Sequence, residues 1–74
     1  MKSMEQTIPE LMMVEIEVAQ KRRRLTAHLV AKKAGMPVST YYKRLREPES
    51  VTLGELGLMS AAVGIEWEAK HGSN

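Results

Sequence analysis

From Thr7 to about Arg23 apolar residues recur densely, and their spacing predicts a helix with Leu11, Met12, Ile16, Ala19 and Val18 turned inward. "TIPE" opens it. Thr7 stands three residues before Glu10, the spacing of a capping box, and Pro9 is tolerated in a first turn. Within this segment "VEIEV", residues 14–18, alternates apolar and acidic with period two, which suits a strand. The cap and the length of the segment favour the helix.

Thr26 marks a second N-cap, ahead of "AHLVAKKAG". Leu29, Val30, Lys33 and Ala34 fall at helical spacing there, and Gly35 offers the left-handed stop. Met36 precedes a proline and is pushed towards extended geometry. A third helix begins between Pro37 and Ser39 and ends before Pro48, with Tyr41 and Leu45 inward, four residues apart.

In "VTLGEL", Thr52 and Glu55 form another capping box, and Val51 and Leu56 hold the hydrophobic-staple positions. This fourth helix runs through Leu56, Met59, Ala62 and Val63 to Gly64. Gly54 and Gly57 lower its propensity, which suggests close backbone approach by a neighbour. In the tail "IEWEAKHGSN", Ile65, Trp67 and Ala69 alternate with Glu66, Glu68 and Lys70. That pattern fits either a short edge strand or a frayed turn, with Trp67 packed back on the core or held in a dimer contact. The expected fold class is all-α, a small bundle of four to five helices with a short C-terminal strand or tail. It forms a single domain over 1–74, with its core over about 7–66 and flexible ends at 1–6 and 70–74.

Composition narrows the function classes. Apolar residues make up 43% and charged residues 27%, which suits a globular domain. The absence of cysteine excludes disulfides and thiolate metal sites, and with His28 and His71 as the sole histidines no metal site is expected. No apolar run is long enough to span a membrane, and "MKSMEQTIPE" has no secretory h-region, so a cytoplasmic protein without membrane contact is expected. No aspartate is present and both histidines look peripheral, so no serine has an identifiable base and orienting acid and an enzyme is not expected; nor is a cofactor. "GELG" lies inside a capped helix and is no phosphate loop. The methionines, Met12, Met13, Met36 and Met59 among them, read as pliable core filler.

Charge changes the picture most. Residues 20–46 hold nine of the eleven lysines and arginines and no acid, whereas all nine glutamates lie outside. Asymmetry of this kind points to nucleic acid or another anionic surface. The same window contains two short helices joined by a glycine-containing turn, the outline of a helix-turn-helix. In that frame Ala31 must be small where the helices cross, Gly35 supplies the turn, Tyr41 fills the angle between the helices, and Leu45 continues the contact.

"RRRLTAHLVAKKAGMPVSTYYKRL" resembles the Cro and phage-repressor class of DNA-binding domains, the XRE class, and the resemblance covers about residues 16–65. It rests on the "LT" entry, the alanine-to-glycine spacing, the "ST" pair and the late "AAVGI". The resemblance implies that the third helix lies in the major groove while the second crosses the backbone. Carried over by position, Val38, Ser39, Thr40, Tyr42 and Lys43 would face base edges. Arg23, Arg24, His28, Lys32, Lys33, Arg44 and Arg46 would contact phosphates. The chain departs from the class pattern at four places. Ala27 stands where glutamine is common, Pro37 replaces the usual cap, Arg44 takes a position often apolar, and "REPES" follows the third helix.

The resemblance implies a sequence-specific transcriptional regulator, a bacterial or phage-encoded, nucleoid-associated repressor of Cro-like, mobile-element type. It would occupy a palindromic operator in double-stranded DNA as a homodimer and take no small-molecule ligand. A rival reading is a helical protein-interaction module, adaptor or antitoxin-like, whose basic face is incidental. The apolar content of residues 8–19 suits that role.

Overall fold

The computed structural model describes residues 7–66, and they are all-helical, without strands. Helix α1 spans Ile8–Arg22, α2 Ala27–Ala34, α3 Val38–Arg46 and α4 Leu53–Val63, with a 3₁₀ turn at Pro48–Ser50 between the last two. The segment "VEIEV" is therefore helical.

Local chemistry sets the boundaries. Thr7 and Glu10 close a reciprocal capping box at the start of α1, with N···O distances of 3.2 and 2.9 Å. Thr52 and Glu55 repeat it at α4, at 3.1 and 3.0 Å. The Thr26 hydroxyl accepts the Leu29 N–H at 3.1 Å and starts α2. Two helices end on left-handed glycines, Gly35 (φ 74°) and Gly64 (φ 81°). After each, the next N–H reaches back across the last turn, Met36 to the Ala31 carbonyl at 3.0 Å and Ile65 to Ser60 at 2.8 Å. Helix α1 ends the same way without glycine: Arg24 adopts φ 58°, and the Leu25 N–H reaches the Gln20 carbonyl at 2.9 Å. Helix α3 starts at Val38 behind Pro37, which makes no side-chain cap; its carbonyl accepts the Thr40 and Tyr41 N–H groups.

The core gathers Met13, Ile16 and Ala19 of α1, Val30, Ala31 and Ala34 of α2, Tyr41 of α3, and Leu56, Met59, Ala62 and Val63 of α4. Helix α4 packs on α2 and α1, and α2 packs on α3. The inner face of α1 differs from the expected one. Met13 is buried where Leu11 and Val18 were expected, and those two are 44% and 41% exposed. Apolar residues occupy more than one stripe of this helix, and the line 13–16–19 is the buried one, on a helix that packs against α4 and α3. On α2, Leu29 and Lys33 face solvent, and Ala27 is buried with Val30, Ala31 and Ala34.

Gly54 and Gly57 also depart from expectation. A Cβ at Gly54 would reach nothing nearer than the Thr52 hydroxyl at 4.0 Å, and one at Gly57 would meet nothing within 4 Å. No neighbour among the described residues approaches them. Ile65 is half-buried against the core and leaves α4 without entering a strand. Trp67, Ala69 and His71, and the ends 1–6 and 70–74 expected to be flexible, lie outside the described residues.

Candidate nucleic-acid interface

The α2–turn–α3 unit is held from beneath by one side chain. Tyr41 is fully buried, and its hydroxyl donates to Gln20 Oε1 at 2.6 Å. Gln20 Nε2 in turn donates to the Leu25 carbonyl at 3.1 Å. Two hydrogen bonds thus tie α3 to the end of α1 and to the turn that launches α2. Burial first, then Glu17 and Tyr42, pushes the Tyr41 phenol up to about 12. Ala31 is buried, Gly35 makes the turn, and Leu45 is half-buried against the core.

With Tyr41 fixed, helical periodicity decides what α3 displays. Ser39, Tyr42, Lys43 and Arg46 are exposed, at spacings of three and four that place them on one side of the helix. The Tyr42 ring stays beside Tyr41, centroids 6.4 Å apart and tilted by 51°. Thr40 is half-buried. Val38 is half-buried and packs against the core, which leaves only part of it to the surface.

Arg44 is not a free cation. Its guanidinium makes a two-pronged pair with Glu55, Nε to Oε1 at 2.8 Å and Nη2 to Oε2 at 3.0 Å, and Nη1 reaches Ser50 at 3.3 Å. Its side chain is 19% exposed and Glu55's 21%. Arg44 therefore links α3 to the start of α4, in place of the phosphate role that its position suggested. The Arg44 guanidinium, then the Thr52 backbone N–H, holds the Glu55 carboxyl below the usual carboxylate range.

The other basic candidates divide into groups. Of the nine cations between residues 20 and 46, only Arg44 and Lys21 pair with a carboxylate among the described residues. Lys21 meets Glu17 at 3.4 Å on the exposed side of α1, a pair of small energetic weight. Lys32 and Lys33 are exposed in the last turn of α2, and His28 in its first. Arg23 folds across Gly64, where an added Cβ would lie 3.1 Å from the guanidinium carbon. Arg23 and Lys33 together flank a cleft of about 310 Å³ floored by Leu25, Ala61, Ala62 and Val63. Arg24 is exposed in its left-handed turn.

Gln20 and Glu55 are the functional partners that the sequence did not single out for these roles. Gln20 carried no signal beyond being a lone amide at the end of an amphipathic helix. Glu55 was legible as a cap, but its partner lies 11 residues back in a different helix. No cluster of three or more potential metal ligands occurs among the described residues, and no helix there is long and apolar enough to cross a membrane. Compared with protein-family models, curated proteins and solved structures, the chain matches none.

Proposed function

We propose that this protein is a sequence-specific double-stranded DNA-binding regulator of transcription, a Cro-like repressor of phage or mobile-element type, acting by operator occupancy as a homodimer. One observation carries the reading. The exposed side of α3 (Ser39, Tyr42, Lys43, Arg46) has no acid, and seven cations in the surrounding window lack a carboxylate partner among the described residues. Unpaired cations beside a short polar helix suit groove entry flanked by phosphate contacts. In this reading Lys43, Ser39, Thr40 and Tyr42 face base edges, while Arg46, Lys32, Lys33, Arg24 and His28 meet phosphates.

Binding to random-sequence duplex, followed by fluorescence anisotropy, tests it. With about six to ten phosphate contacts, affinity should fall ~10³ to 10⁵-fold between 50 and 200 mM salt. No detectable binding at the lowest salt would sink the proposal. A second reading, a protein-interaction module, draws on Ile8, Leu11, Val14 and Val18, which form an exposed apolar stripe along α1. Salt-independent binding to a protein partner, with none to DNA, would favour it.

A further inference from the structure

Helix α4 is apolar on all sides although only one side is buried. From Leu53 to Gly64 its one charge is Glu55, already committed to Arg44, and its one hydroxyl, Ser60, is buried. Helices of this composition are ordinarily enclosed. Yet Leu53 is 84% and Leu58 52% exposed, and Gly54, Gly57 and Ala61 are exposed with them. At 100° per residue these five share one arc: Gly54, Gly57 and Ala61 run along its middle, with Leu53 and Leu58 at its edges.

The glycines sharpen the point. Glycine lowers helix propensity relative to alanine, most of all in a helix interior such as position 57. A Cβ at Gly57 would stand in open space and one at Gly54 would touch only Thr52, so none of the described residues requires their absence of a side chain. Close approach by a partner helix from outside would.

We infer that the outer face of α4 docks on the same face of a second copy of this chain, in a two-fold helix crossing centred near Gly57. Leucine edges fit a groove of small residues, so the face is complementary to itself, as a two-fold contact demands. The face itself carries no charge; Arg23 and Lys33 stand only at its Ala61 end, so a crossing centred near Gly57 keeps the cations of the two copies apart. The apolar stripe of α1 lacks that property: Glu10, Glu15 and Glu17 flank it, and self-pairing would bring carboxylates together. From Leu53 to Ala61 the helix rises only ~12 Å. A face that short covers well under the ~800 Å² per partner of a standard stable interface, so a weak free dimer is expected. This contact supplies the second protomer of the proposed function but does not depend on DNA, so the two readings fail separately.

Sedimentation equilibrium of the full chain without DNA, up to about 1 mM to match that weak contact, is the test. The wild type is expected to show a reversible monomer–dimer equilibrium. Leu58→Glu should abolish it while circular dichroism stays helical, and Val14→Glu on α1 should leave it intact. Gly57→Ala gives a readout of opposite signs: thermal midpoint raised by roughly several degrees in dilute solution, where alanine improves the helix, and self-association weakened. A wild type that stays monomeric throughout overturns the inference. So does association that survives both Leu58→Glu and Gly57→Ala, or that Val14→Glu removes.

Discussion

Tyr41 fills the angle between α2 and α3 and fixes, through its hydroxyl, the amide of Gln20. Truncating it to alanine should cost ~3–5 kcal/mol, as expected when a buried aromatic leaves a cavity. Tyr41→Phe keeps the ring and strands the Gln20 carbonyl oxygen, for about 1 kcal/mol in urea unfolding. The phenol's raised pKa sets a pH dependence. The folded state holds the proton more tightly than an exposed tyrosine does, so its contribution is complete below pH 10 and is lost as pH rises towards 12. The stability difference between wild type and Tyr41→Phe should narrow across that interval. Arg24 offers a separate test, because a non-glycine residue there occupies the left-handed region at φ 58°. Arg24→Gly should hold or raise stability in thermal unfolding, by up to about 1 kcal/mol, so that any loss of DNA affinity is not a folding effect.

At the scale of the helices, Glu55 does two jobs: its carboxylate caps α4 and ties α3 to it through Arg44. Gln at this position still reaches the Thr52 N–H but carries no charge, so Glu55→Gln isolates the ion pair. Because the folded carboxyl lies below its ordinary 4.5, the pair's stabilisation is present above that pH and disappears as pH falls through the folded value. Urea midpoints of wild type and Glu55→Gln should differ at pH 7 and converge in acid. Local signals of this kind made the fold legible. Thr7, Thr26, Thr52, Gly35 and Gly64 each act on their own turn, and each marked a boundary that the structure keeps. The buried face of α1 was not legible, because Met13 competes with Leu11 and Val18 and only the packing of α4 decides among them. Arg44 misled for a related reason. Its sign was visible in the sequence, whereas the carboxylate that claims it comes from across the fold.

For the molecule as a whole, the tertiary frame and the displayed surface are separable, and variants should sort accordingly. Arg44→Ala should lower stability first, since its guanidinium serves the α3–α4 link. Lys43→Ala and Thr40→Ala should relax sequence preference, whereas Arg46→Ala and Lys33→Ala should weaken all duplexes alike and shallow the salt slope by about one each. The surface of α3 could be located from the sequence, but the base-reading roles proposed for its side chains rest on resemblance alone. In vitro selection from random duplexes, with wild type and Lys43→Ala in parallel, tests the central claim most directly. The wild type should enrich a palindrome whose half-sites lie about one helical turn apart, ~34 Å, and Lys43→Ala should lose preference at one position in each half. An unenriched pool, or a motif that Lys43→Ala selects unchanged, would contradict it.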